Sequence, residues 1–281
     1  MKRLFNCAVL GLVLAAVAAA GGQPLRYHFD KATTYRYAVT SESKMNGEMM
    51  GQEMTIEMRT EATVAVTASA ETKDGGWELI VRMDAGKAKV NFPMMGLRDT
   101  TIELTELLGK RSKLIIDGRG KTLSVTPIDT VAPSRLMMML GGGTEMFSRM
   151  FMELPVQAVD VKSAWKDTNP DTMHQRGVKI VMKKNVDYSI PGTETRGGYS
   201  TLQIAFTGAT TMTGAGNQNG LDVTVDGTVK SNGTLNFAPK EGLMVELSST
   251  SNVDQTVTFS GAQNGAQTSV TSSKTTAKLL K

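Results

Sequence analysis

Cysteine is almost absent: Cys7 is the only one in 281 residues. A single thiol cannot close an intramolecular disulfide, and it leaves a thiolate-bound zinc or iron–sulfur centre without a ligand set. Histidine is nearly as scarce, with only His28 and His174, neither framed by a nucleophile motif. No G-x-S-x-G elbow is present, so a hydrolase triad has no starting point. Aromatic residues make up 5% of the chain, and past residue 20 no apolar run approaches the ~20 residues of a membrane helix. Charge of one sign is missing as well: 31 basic residues face 27 acidic ones, for a net +4. That balance excludes the concentrated basic surface of a nucleic-acid binder. The expectation is a protein that is not an enzyme, with no cofactor and no nucleic-acid partner.

What the N-terminus does contain is an export signal. Lys2 and Arg3 precede the apolar run Ala8–Ala20, and Ala18-Ala19-Ala20 supplies the small residues a signal peptidase needs. Thirteen apolar residues rise about 20 Å as a helix, short of a ~30 Å hydrocarbon layer. Residues 1–20 therefore read as a signal peptide cleaved near Ala20/Gly21, with no permanent membrane span afterwards. Cys7 lies before the apolar run rather than after it, which argues against a lipid anchor. The remaining chain, 21–281, is expected in the periplasm or outside the cell, with 29 basic against 27 acidic residues.

The dominant pattern in this remainder is alternation with a period of two. From Gln52 to Ala68, apolar Met54, Ile56, Met58, Val64 and Val66 alternate with Glu53, Glu57, Arg59 and Glu61. About seventeen such residues form one long, half-buried strand, which must bend or belong to a strongly curved sheet. Trp77–Ala85 repeats the pattern, and parity flips after Gly86, as at a bulge. Gly118-Arg119-Gly120 reads as a hairpin turn, and alternation resumes at Val178–Met182, Leu202–Phe206, Leu221–Val229, Thr234–Phe237, Leu243–Thr250 and Thr256–Phe259. Polar turns are expected at Gly214–Gly220, Ser231–Gly233 and Gly261–Gly265, and a last, weak strand at Gln267–Leu280. Thr101–Leu108 reads as a short helix or a strand end. The expected fold is mainly β: a long, strongly curved antiparallel meander, or partial barrel, in one domain.

One segment breaks the rhythm, near residues 134–154. Met137, Met138 and Met139 precede Gly141, Gly142 and Gly143; then Met146, Phe147, Met150, Phe151 and Leu154 recur at helical spacing behind Thr144 as N-cap. This predicts two short helices joined by a glycine hinge, with the long strands on either side suggesting two lobes. Met137, Met138, Met146, Phe147, Met150 and Phe151 are the candidate ligand-contacting residues. Two readings stand side by side: a mobile lid over an apolar cavity, or a static plug completing the core. The glycine run lacks the lysine and spacing of a phosphate loop.

Tyr35-Arg36-Tyr37, Met49-Met50-Gly51-Gln52-Glu53-Met54, Gly118-Arg119-Gly120-Lys121, Val161-Lys162-Ser163-Ala164-Trp165, Gly233–Phe237 and Glu241-Gly242-Leu243 together resemble an uncharacterised family of exported bacterial β-rich proteins. More distantly, the chain is similar to LolA-like periplasmic lipoprotein carriers, in which helices close a curved sheet over an apolar cavity. That resemblance implies the curved sheet and an apolar ligand such as a lipid or acyl chain, and it carries over no catalytic residue. Two alternatives remain: a structural or assembly component acting through an envelope protein partner, and a copper(I) binder. The latter rests on Met45, Met49, Met50, Met54 and Met58, since thioethers are soft ligands. The same methionines share a strand face with Ile56, Val64 and Val66, which is how a core face also looks.

Overall fold

In the computed structural model, residues 22–49, 52–130, 147–148, 150–175, 177–218, 220–261 and 264–281 are described. They form thirteen strands: β1 (Thr34–Met49), β2 (Gln52–Glu71), β3 (Trp77–Phe92), β4 (Leu97–Glu103), β5 (Arg111–Ile116), β6 (Thr122–Pro127), β7 (Ala164–Asp167), β8 (Pro170–Gln175), β9 (Val178–Arg196), β10 (Tyr199–Gln218), β11 (Leu221–Ala238), β12 (Leu243–Ser260) and β13 (Gly265–Leu280). All pair antiparallel in one open sheet, in the order β6-β5-β3-β2-β1-β13-β12-β11-β10-β9-β7. The short strands β4 and β8 attach to β3 and β9. Each arm thus ends in one long strand flanked by two short ones, β5 and β4 on β3, β7 and β8 on β9.

The sheet curls strongly, and one pair of hydrogen bonds demonstrates it. Tyr27 donates its amide to the Gly118 carbonyl in the β5–β6 turn, and His28 donates its amide to the Gly242 carbonyl in the β11–β12 turn. Strands β5 and β12 are five ladder steps apart, ~24 Å on a flat sheet, yet neighbouring residues of one segment reach both. The inner face is therefore concave. At its base it closes around one apolar core in which Leu79 and Leu114 of one arm meet Ile204 and Phe237 of the other.

Missing side chains permit this curl. Ser231–Gly233, expected as a turn, lies inside β11, because Gly233 faces inward and leaves room for a ring from the next strand. A Cβ there would stand 2.6 Å from Phe206 Cζ, and one at inward-facing Gly208 would stand 2.5 Å from Val186 Cα. Gly214 and Gly216 likewise belong to β10, which runs on to Gln218 before turning. The parity flip of β3 falls at Asp84, where the register passes from Val64–Met83 to Thr63–Ala85. The tail expected to be a weak strand is β13, which sits between β1 and β12 at the middle of the sheet.

The helical pair expected at 134–154 lies largely outside the described residues, as do Met137, Met138, Met146 and the hinge Gly141, Gly142 and Gly143. Where the segment is described, Phe147 and Met150 close a single turn through a 3.2 Å backbone bond, and the chain from Met152 to Pro155 has no regular secondary structure. Helical spacing at Phe147, Met150, Phe151 and Leu154 serves a turn followed by an irregular strap, and all four side chains are buried in the same core. The described residues contain one short 3-10 turn, Pro93–Met95, and no helix long and apolar enough to cross a membrane, a statement that does not bear on strands.

Candidate functional site

The concave face divides along its length. At the base it is sealed by two straps, residues 22–30 and 150–163. Gln23 and Val159 exchange backbone hydrogen bonds of 2.9 and 3.0 Å, Leu154 donates to the Arg119 carbonyl, and Lys162 donates to the Ile190 carbonyl. The second strap thus spans the gap between the β6 and β7 sides of the sheet. Phe147, Met150 and Phe151 are 5%, 9% and 6% exposed, respectively, and belong to this core. Phe151 sits edge-on to Tyr27 at 5.2 Å and to Phe29 at 5.7 Å. The structure thus brings together three of the six predicted contact residues, inside the plug of the base. Burial pushes the hydroxyls of Tyr27 and Tyr37 well above the usual phenol range.

Beyond the straps the inner face stays apolar in two strips. On the β2–β3 arm, Met54, Met83, Val90 and Phe92 are buried together with Leu104 and Leu107 from the segment between β4 and β5, and are bordered by half-buried Met45, Ile56 and Met58. On the β9–β12 arm, buried Val178, Ile180, Val223 and Val225 are bordered by half-buried Met182, Met212, Val257 and Phe259. Between the strips runs a hydroxyl floor, where Ser251 and Ser273 meet at 2.8 Å and Ser41 and Thr275 at 3.3 Å across neighbouring strands. Register explains the arrangement: Ser41 and Ser43 of β1, Ser249 and Ser251 of β12, and Ser269, Thr271, Ser273 and Thr275 of β13 fall side by side on the inner face, whereas the inward residues of the strips are mostly Met, Val and Ile.

One edge of this face carries aromatic rings and charge. Trp165 of β7 stacks on Tyr188 of β9 with centroids 5.1 Å apart and planes within 2°, and Phe206 of β10 follows at 6.2 Å. Beside them Lys184 lies 3.7 Å from Asp167 and 3.8 Å from Glu153, which also pairs with Arg119. Burial, reinforced by the Asp167 charge, pushes the Tyr188 hydroxyl up to about 12. Trp77 is buried and donates its indole N–H to the Tyr27 carbonyl.

The opposite face is polar. Glu57 pairs with Lys44 at 2.8 Å, and Glu61 with Arg59 at 2.9 Å and Lys87 at 3.2 Å, so these carboxylates are part of a solvated ion-pair lattice. Met45, Met54 and Met58 pack with Ile56 and Val90 on the inner face. Among the described residues no three His, Cys, Asp or Glu side chains converge as metal ligands. Met182, Met212 and Phe259 were not singled out from the sequence; their partners come from strands far along the chain, and only the period-two pattern hinted at their face.

No protein family matches the chain, and no curated protein does. The helical closure implied by the LolA-like resemblance is not found among the described residues, whereas the β-rich sheet is. Among solved structures, the chain is similar to the crystal structure of an outer membrane channel from Pseudomonas putida F1, with 8% identity over 91% of this chain and 98% of that one and a TM-score of 0.28.

Proposed function

We propose that this is an exported, non-enzymatic β-protein that binds an apolar ligand, such as an acyl chain, on the concave face above its sealed base. One observation carries the reading: past the straps the inner face remains apolar, in a β9–β12 strip and in the border Met45, Ile56 and Met58 of a β2–β3 strip whose centre Leu104 and Leu107 cover. Half-buried Met45, Met58, Met212 and Phe259 leave part of their apolar surface on one concave face for a guest to cover. Methionine, with its flexible and polarizable thioether, suits guests of varied shape. The hydroxyl floor between the strips offers hydrogen bonds to a polar head group.

The test is binding of a fluorescent fatty acid to the purified chain and to Met212→Asp and Phe259→Asp variants whose β-sheet circular dichroism matches the parent. Saturable binding that either charge weakens supports the reading. A parent protein that binds no such fatty acid overturns it.

A second reading, a structural component acting through an envelope protein partner, draws on the two open edges of the sheet at β6 and β7, whose outward backbone groups could pair with another strand. Native mass spectrometry of the protein from its own host separates the two readings: a retained lipid supports the first, a stoichiometric protein the second.

A further inference from the structure

The polar face holds a feature that the apolar-ligand reading does not use. Two depressions, of about 550 and 440 Å³, share Thr250 and Asn252 and so form one furrow running across the strands. It extends from Asn185 on β9 to Asn91 on β3, eight strands in ladder order, or ~34 Å at the usual strand spacing. Two adjacent register rows make its centre: Asn232–Thr250–Lys274, and Lys230–Asn252–Ser272 on β11, β12 and β13. Each row therefore presents one ammonium beside hydroxyls and amides on its β12 side, and Glu42, opposite Lys274 in β1, is held by Arg59.

Charge separates this centre from the rest of the furrow. Toward β3 the cations are already neutralised: Arg59 by Glu42 at 3.0 Å, Lys44 by Glu57 at 2.8 Å and Lys89 by Asp99 at 3.1 Å. Lys230 and Lys274 are exposed and have no carboxylate partner among the described residues. They stand two strands and one row apart, roughly 12 Å by sheet geometry.

We propose that this furrow binds an extended acidic polysaccharide. The chemistry selects that class by matching sparse negative charges to Lys230 and Lys274 and sugar hydroxyls to Asn232, Asn252 and Ser272. A nucleic acid places a phosphate at every step and would meet Asp187, Glu42 and Glu57 along the same furrow. An extended peptide would seek free backbone groups, which the middle of a sheet does not offer. A neutral glycan would leave both ammonium groups without partners, and no aromatic side chain lines the furrow for it to stack on.

The test measures binding of the chain to hyaluronate, whose carboxylates fall on every second sugar, with dextran, polyglutamate and duplex DNA as comparisons. The proposal expects hyaluronate binding that weakens with salt, falls at least about tenfold in a Lys230→Ala, Lys274→Ala double variant, and leaves fatty-acid binding on the other face unchanged. Both lysines are exposed, so the double variant keeps the fold, and matching circular dichroism verifies this. Hyaluronate binding that is absent at low salt, or unaltered in the double variant, overturns the proposal. So does equal or tighter binding of dextran, polyglutamate or DNA, which would mark a general glycan or polyanion surface.

Discussion

Trp77 donates its indole N–H to the carbonyl of Tyr27 over 3.1 Å, fastening the third strand to a strap fifty residues earlier in the chain. The same Tyr27 donates its hydroxyl to the Met152 carbonyl at 3.0 Å. One tyrosine thus ties the sheet to the first strap and the first strap to the second.

Removing either tie should be measurable by urea denaturation. Tyr27→Phe deletes a buried donor and strands the Met152 carbonyl, at a cost of about 1–3 kcal/mol. Trp77→Phe also leaves a cavity beside Phe29, whose ring lies 5.7 Å from the indole, and should cost more, about 2–4 kcal/mol. Equal stability of parent and both variants would show that the straps contribute nothing to the fold.

Glycines on the concave face should not tolerate a methyl group. Gly233→Ala drives its Cβ into the Phe206 ring and should destabilise by about 1–3 kcal/mol. Gly192→Ala meets nothing within 4 Å and serves as the control, with an expected change within about 0.5 kcal/mol. Thermal melts of the two variants side by side decide the matter.

Stability should fall at both ends of the pH scale, for opposite reasons. The Arg111 side chain, helped by its backbone amide, holds the Asp129 carboxyl well below the usual carboxylate range, and Lys87 followed by Arg59 lowers Glu61. Groups with a depressed folded-state value contribute stability that is complete above the unfolded value, about 4, and lost as pH falls through the folded value. Tyr188 is raised, so its contribution is complete below about 10 and lost as pH climbs through about 12. Melting temperature against pH should show both declines, and Arg111→Gln should flatten the acid one. Tyrosinate absorbance should lag behind that of free tyrosine until the protein unfolds, because Tyr27 and Tyr37 are also raised by burial.

The last strand should be indispensable. Ala277 is buried and lies opposite Val39 of β1 and Leu247 of β12. Ala277→Asp places an unpaired charge there and should cost about 3–5 kcal/mol, while a chain ending at residue 264 should fail to give a cooperative melt. A truncated chain that melts like the parent would refute the central placement of β13.

The fold was legible where alternation was strong. Gln52–Ala68 forecast β2 because its two faces meet such different surroundings, a core on one side and an ion-pair lattice on the other. Thr- and Ser-rich β13 carries little such contrast, since hydroxyl residues fall on both of its faces, and its place in the sheet depends on β1, far away in sequence. Gly233 was misread because glycine marks a turn locally but makes room for a ring non-locally, and only register tells these apart. For the candidate site, sequence reasoning found apolar residues on strand faces and then favoured a methionine-rich segment whose described part is core. The half-buried strip at Met182, Met212 and Phe259 depends on which strands lie side by side, and that information is absent from any window of a few residues.

Pairing of β1 with β13 also dictates when the molecule can become itself. As the chain is made, the strand that forms first must wait, with one hydrogen-bonding edge bare, for the strand that is made last. Such distant pairing makes folding slow, because the loop must be closed before any contact rewards it. Until then, Thr34–Met49 is a ready template for another copy's strands. A chain built this way stays open to wrong pairing until β13 has taken its place beside that first edge.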